Sequence, residues 1–106
     1  MSGDSDQSSA GPDELAGIEA AMSEARARLL EVPADVVVTN HVMGLYELAA
    51  IHLSTDPPNL EDASLAIDAV GCLVEGLGDR LGDEAATMRD ALANIRMAYV
   101  SLAQRP

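Results

Sequence analysis

The feature that most constrains this chain is a helical spacing of apolar residues in three separate segments. Within each segment these residues lie alternately three and four positions apart, which places them on one stripe of an α-helix. The first stripe consists of Leu15, Ile18, Met22, Ala25, Leu29 and Val32. The other two are Ala63, Ile67, Val70, Val74 and Leu77, then Ala85, Met88, Leu92, Ile95, Tyr99 and Leu102. The spacing therefore predicts three amphipathic helices.

Prolines and glycines predict where the helices begin and end. Pro12 suits the first turn of a helix, and Pro33 ends that helix because the residue before a proline avoids the α region. Pro57 and Pro58 form a turn, after which Asn59 is a good N-cap for the third helix. Gly78 offers the left-handed stop at the end of that helix.

The helix that carries the last stripe is the fourth in the chain, because the segment between Pro33 and Pro57 forms the second. This fourth helix is predicted to open at Gly82-Asp83-Glu84, with its acids in the first turn. The fold class is then all-α, a small antiparallel bundle of four helices. Three of these helices form the core, and the N-terminal amphipathic helix is added to them in a single domain at residues 12–106. Residues 1–11 carry Ser, Gly, Asp and Gln without periodic apolar residues, which predicts a disordered tail.

The segment between Pro33 and Pro57 is apolar on two adjoining helical faces. The faces are Val38, Val42, Leu45, Ala49 and His52, and next to them Val37, His41, Gly44, Leu48 and Ile51. Its β-branched start, residues 36–38, is compatible with a strand, but no partner strand exists elsewhere in the chain. A helix that is apolar on most of its circumference must be covered on most of it, which predicts the central helix of the bundle.

Three thin helices of Ala, Val and Leu cannot easily cover such a central helix in so small a domain. A two-fold dimer would cover it and would remove an exposed apolar patch. We therefore expect a homodimer, whose interface on the second helix is formed by Val38, Val42, Leu45, Leu48 and Ile51. The first helix either packs within its own subunit or reaches across to the partner.

Charge and composition exclude several classes of function. The chain has 106 residues, 18 acids against 6 bases, no Lys and a net charge of −12. It therefore lacks the basic surface and the aromatic side chains that nucleic-acid binding requires. We also expect no membrane partner, since no apolar run approaches the ~20 residues of a membrane span and no basic leader is present. The single Cys72 fits a reducing compartment, so we expect a cytoplasmic protein.

The sequence offers no convincing catalytic, cofactor or metal site. His41 and His52 lie about 16 Å apart along one helix, too far to bind one metal within a subunit. Cys72 has the acids Asp68 and Glu75 for neighbours, which disfavours the thiolate that a nucleophile needs. We therefore predict that the protein is not an enzyme and binds no cofactor or metal.

One charged pattern has a candidate function. Glu61, Asp68 and Glu75 recur every seven residues on the third helix and form an acidic ridge. The ridge is either a solvated face or a docking surface for a basic protein. Arg89 and Arg96, seven residues apart on the fourth helix, are expected to form ion pairs with acids of the third.

Two sequence motifs in the second half resemble a known family. They are Ala66-Ile67-Asp68 and Arg96-Met97-Ala98-Tyr99-Val100, and they follow an apolar helix that leads into Pro57-Pro58-Asn59. Residues 34–101 resemble the small bacterial family catalogued as domain of unknown function 1844. The family has a link with Lys and Thr before its last helix, where this chain has Gly78-Asp79-Arg80-Leu81-Gly82. The resemblance implies the helical fold and, from gene neighbourhoods in some bacteria, a connection with translation; it implies no activity.

The sequence thus favours a non-catalytic cytosolic protein–protein interaction module that associates with itself through its apolar second helix. The alternative is a translation-associated accessory protein. In that case the acidic ridge docks on a basic ribosomal protein or factor.

Overall fold

The structure is a computed structural model that describes residues 11–105. Within this range every regular element is a helix and there is no strand, which confirms the all-α class. The predicted disordered tail covers residues 1–11, and residues 1–10 of it lie outside the described range. The chain divides into two compact units, residues 1–33 and residues 34–106.

The first unit contains helix α1, Pro12–Glu31. Pro12 occupies the first turn with Asp13 and Glu14, where the missing proline N–H costs nothing and the acids favour the positive end of the helix dipole. The helix ends because Val32, the residue before Pro33, takes an extended conformation. No residue of α1 is buried, so its apolar stripe is exposed along its whole length.

The second unit contains α2, Ala34–Ser54, α3, Leu60–Leu77, and α4, Ala85–Ala103. A 3-10 segment, Gly78–Glu84, connects α3 with α4. The predicted fourth helix was placed to open at residues 82–84; these residues instead belong to the 3-10 segment. The reason is Gly82, whose φ of 77° interrupts the helix just before α4 begins.

The start of α3 follows the predicted capping arrangement. The side chain of Asn59 accepts a hydrogen bond from the backbone N–H of Asp62 at 3.1 Å, and its amide donates to the Asp62 carboxylate at 2.9 Å. The first bond satisfies one of the backbone donors that open the helix. The second joins the two side chains, whereas in a full capping box the Asp62 carboxylate would accept from the Asn59 backbone N–H. At the other end Gly78 has a φ of 54° and its N–H donates to Val74, as a glycine stop requires.

The core of the second unit is aliphatic and lies between α2, α3 and α4. Its largest fully buried side chains are Val42 of α2 and Val70 and Val74 of α3. The buried residues of α4 are Ala85, Met88, Leu92 and Ile95, which belong to its predicted stripe. Thr39 is buried as well, and its hydroxyl donates to the Leu81 carbonyl at 3.4 Å, which ties α2 to the 3-10 segment.

The prediction that the second helix is the central one is wrong for this unit. Helix α3 has six buried residues and α2 has four. Helices α2 and α3 each pack against both other helices, but α2 turns only one of its two apolar faces inward and leaves most of the other exposed.

Candidate functional site

The predicted dimer interface on α2 divides into buried and exposed residues. Val42 is 0% exposed in the core, and Val38 and Leu45 are half-buried against it. These three side chains stabilise the unit itself, and Val42 in particular cannot contact a partner. Leu48 and Ile51 are 43% and 61% exposed. Of the five predicted interface residues, only these two present much side-chain surface to solvent.

Leu48 and Ile51 belong to a continuous row that we call the outer face of α2. The row comprises Val37, His41, Gly44, Leu48 and Ile51. All but Val37 are exposed, and Val37 is half-buried. The Nδ1 atom of His41 lies 2.9 Å from the Val37 carbonyl and can donate to it, so the imidazole lies along the row. A Cβ built on Gly44 would meet nothing within 4 Å, so another backbone could approach the row closely there.

Helix α2 also has the length and composition of a membrane span. It has 21 residues and a mean hydropathy of 1.2 in its most apolar window, of which 22% is buried. The expectation that no apolar segment approaches the length of a membrane span is therefore wrong. Glu47 and His52 interrupt the apolar residues of α2, but the mean hydropathy of the helix stays high enough for a span. The core helix of a soluble protein passes the same test.

The acidic ridge on α3 is exposed, but one of its members is engaged. Arg96 of α4 donates from Nη1 and Nη2 to the two carboxylate oxygens of Glu75, each at 3.2 Å. This hydrogen-bonded pair holds the pKa of Glu75 below its ordinary value and raises the pKa of Arg96. Glu61 and Asp68 have no ion pair with any other residue of the described range. The ridge therefore presents two unpaired carboxylates and one that is paired.

The expectation that Arg89 and Arg96 pair with acids is confirmed, with one difference in partner. Arg96 pairs with α3 as expected. Arg89 donates to the Asp79 carboxylate at 3.3 Å, and Asp79 lies in the 3-10 segment rather than on α3. Both pairs are largely exposed, so solvent screens them and neither contributes much to stability.

Sequence reasoning missed why Arg96 reaches Glu75. Gly71 lies one turn before Glu75 on α3, and a Cβ at that position would collide with the Arg96 guanidinium. The absence of a side chain gives the guanidinium room to lie across the helix. The available signal was a glycine at helical spacing from Ser64, Asp68 and Glu75, in the middle of an otherwise regular helix.

The two family-like motifs meet at the contact between α3 and α4. A cavity of about 260 Å³ is lined by Ser64, Ile67, Asp68, Arg96, Tyr99 and Val100. A second cavity, of about 440 Å³ and not anticipated from the sequence, lies between α2, the 3-10 segment and α4. Its lining includes the carboxylates of Asp35, Asp83 and Glu84.

The histidines and the cysteine are not assembled into a reactive cluster. In the part of the chain that the structure describes, no three His, Cys, Asp or Glu residues are placed to hold a metal ion. Cys72 is exposed on α3. The charge of Arg96 reaches it, a neighbour that sequence reasoning missed.

No known protein family, curated protein or solved structure matches this chain. The resemblance of residues 34–101 to domain of unknown function 1844 therefore finds no support in these comparisons.

Proposed function

We propose that this protein is a non-catalytic cytosolic interaction module that forms a homodimer through the outer face of α2. The single observation that carries the proposal is the exposed row on that helix, where Leu48 and Ile51 stand in line with Gly44. In this proposal the core-facing residues Val38, Val42 and Leu45 hold the helix in place rather than contacting the partner.

The energetic argument is the burial of aliphatic surface. Covering a Val, Leu or Ile side chain completely contributes about 1.5–3 kcal/mol, and Leu48 and Ile51 are each about half exposed. A two-fold axis on the row would bury each of them twice, once in each subunit. Gly44 allows the two helices to approach closely at the middle of the row.

The test is the dissociation constant of full-length Leu48→Asp and Ile51→Asp chains, measured by sedimentation equilibrium. Each substitution places a charge in the proposed contact without entering the core. We expect self-association at least tenfold weaker than that of the unmodified chain. Leu65→Asp is the matched control, because Leu65 of α3 is 72% exposed and lies outside the row; this variant should associate like the unmodified chain.

Equal association of all four chains would contradict the proposal, as would an unmodified chain that stays monomeric at every concentration. The cytosolic part has a separate test because α2 is long and apolar enough for a membrane. After cell lysis the protein should remain in the supernatant that high-speed centrifugation leaves. Recovery in the membrane pellet after a high-salt wash would contradict it.

The acidic ridge supports a second candidate, a translation-associated accessory protein that docks on a basic ribosomal protein or factor. The specific observation is that Glu61 and Asp68 are exposed and unpaired within residues 11–105, on a chain of net charge −12. The partner class comes from the resemblance of residues 34–101 to domain of unknown function 1844. Charge complementarity of this kind speeds association and weakens with salt.

Cosedimentation with ribosomes at low and high salt tests this candidate. The Glu61→Lys/Asp68→Lys chain should lose a cosedimentation that the unmodified chain shows only at low salt. Glu75 is left unchanged because it is the hydrogen-bonded partner of Arg96. The control Asp83→Lys/Glu84→Lys carries the same charge change on exposed residues outside the ridge, and should still cosediment. Loss in both variants would mean that net charge, and not the ridge, is responsible.

A further inference from the structure

Helix α1 has an apolar stripe on which every member is exposed. The stripe is Leu15, Ile18, Met22, Ala25, Leu29 and Val32. Its last member, Val32, is the extended residue that follows α1, so the helical part of the stripe runs from Leu15 to Leu29, or about 21 Å. Most of the stability of a helix in a protein comes from the packing of its amphipathic face, so a stripe of this kind needs a partner surface.

The charges on α1 are distributed unequally along its length. Asp13, Glu14 and Glu19 make the N-terminal half purely acidic, and both basic residues, Arg26 and Arg28, lie in the C-terminal half. Arg28 lies 4.0 Å from Glu24 within the same helix. Glu19 and Arg26 form no ion pair among the described residues. Glu24 and Glu31 also lie in the C-terminal half, so that half is neutral overall. An antiparallel pair therefore offers one specific match of opposite charges, Glu19 of one copy with Arg26 of the other.

An antiparallel pair also matches the stripe in size. When the two helices overlap fully, Ile18 faces the partner's Leu29 and Met22 faces the partner's Ala25. Leu15 then lies level with the end of the partner's helix. The largest flexible side chain then meets the smallest one at the centre, as close packing requires. In the same register Glu19 stands beside the partner's Arg26, and the two-fold axis repeats that pair.

A parallel pair of α1 helices matches neither the charges nor the sizes of the side chains. Flanking positions then meet five residues apart, so Glu14 faces the partner's Glu19 on both sides of the pair. In that arrangement Ala25 would also face the partner's Ala25 and leave the middle of the contact underpacked. Like charges and a gap replace the two ion pairs and the filled layer of the antiparallel arrangement.

We propose that α1 pairs with α1 of a second copy of this chain, antiparallel and in full overlap, with Glu19 and Arg26 forming ion pairs across the axis. This contact uses none of the residues of the outer face of α2. It is an interaction surface additional to the proposed one, and it stands or falls independently of it.

The experiment uses full-length chains that all carry Leu48→Asp, so that any association left is independent of the outer face of α2. Sedimentation equilibrium should show a dimer for this parent chain. Adding Glu19→Arg creates two Arg–Arg contacts and should weaken the dimer about tenfold, equivalent to ~1.4 kcal/mol, and adding Arg26→Glu should do the same. An equimolar mixture of these two chains should associate as strongly as the parent, because each charge then meets its opposite.

Glu31→Arg is the matched control, since it makes the same charge change on the side of α1 opposite the stripe and should leave the dimer unchanged. The proposal is overturned if the parent chain is a monomer, or if Glu19→Arg and Glu31→Arg associate equally. It is also overturned if the mixture associates no better than its components. A dimer strengthened by Glu19→Arg would indicate the parallel arrangement and overturn it as well.

Discussion

Helices α1 and α3 have apolar stripes with the same spacing and nearly the same length, 20 and 18 residues. Ile67 on the stripe of α3 is 5% exposed, whereas Ile18 on that of α1 is 53% exposed. The neighbours make the difference, because α3 packs against α2 and α4 and α1 is the only helix of its unit. An amphipathic pattern thus indicates that a face needs cover, and it does not specify what supplies that cover.

The polar edges of the two helices differ in the same way. Glu24 and Arg28 of α1 form a pair within one helix at 4.0 Å. Glu75 of α3 instead pairs with Arg96 of another helix, through two hydrogen bonds. The Glu75–Arg96 pair therefore depends on the packing of α3 against α4, whereas the Glu24–Arg28 pair depends on α1 alone.

The largest effect on stability is expected when an isoleucine is replaced by alanine, once in the stripe of α3 and once in the stripe of α1. Ile67→Ala should lower the free energy of unfolding of the second unit by about 2–5 kcal/mol, because it leaves a cavity in the core. Ile18→Ala should change it by less than about 0.5 kcal/mol, since the side chain is exposed. Urea unfolding followed by tyrosine fluorescence measures this unit selectively, because Tyr46 and Tyr99 are the chain's two tyrosines and no Trp is present. Equal costs at both positions would break the comparison.

A smaller effect on stability is expected in the 3-10 segment that connects α3 with α4. Gly82 has a φ of 77° and a ψ of −145°, a conformation that residues with a side chain rarely adopt. A Cβ there would also collide with the carboxylate of Asp35. Gly82→Ala should therefore cost about 1–3 kcal/mol. Gly76→Ala is the control: Gly76 is helical with open space around it, and the alanine should stabilise the unit by about 0.5–1 kcal/mol. Thermal unfolding of the two variants should shift in opposite directions.

The sequence was sufficient to predict where the helices begin and end, but not to predict every contact between them. The predicted stops at Pro33 and Gly78 and the cap at Asn59 are local chemistry, and the structure has all three. The stripes of α3 and α4 are buried as predicted over most of their lengths, because each of these helices has a single apolar face.

On α2 the prediction failed where the pattern was ambiguous. The rows through Val42 and through Leu48 are both apolar, and they differ only by a rotation about the helix axis. Periodicity within one helix does not tell which row turns inward, so the predicted interface mixed buried Val42 with exposed Leu48. The contact of Arg96 with Gly71 was missed for a related reason, since it depends on how α3 and α4 pack together.

The smallest effect on stability is expected from the Glu75–Arg96 pair, which joins α3 to α4. Arg96 donates to the ionised Glu75 and holds the pKa of Glu75 below its ordinary value of 4.5. The unfolded chain has no such pair. The pair therefore stabilises the folded protein fully at pH values above the ordinary pKa of Glu75, and this stabilisation is lost as the pH falls through the lowered pKa. Arg96→Gln should raise the pKa of Glu75 toward 4.5 and make the acid loss of stability smaller. A carbon-13 NMR titration of the Glu75 carboxyl measures the first effect, and unfolding at a series of pH values measures the second.

Gly71→Ala tests whether packing, and not charge alone, sets this pKa. The alanine leaves both charged groups in place, but its Cβ must displace the guanidinium from its position across α3. The pKa of Glu75 should therefore rise in the same direction as in Arg96→Gln, and by less, because the displaced Arg96 still contributes its charge. Arg89→Gln is the control, since Arg89 pairs with Asp79, and it should leave the Glu75 titration unchanged. A Glu75 pKa unaffected by Gly71→Ala would show that the two helices do not need a glycine at their contact, and that the charge of Arg96 alone sets this pKa.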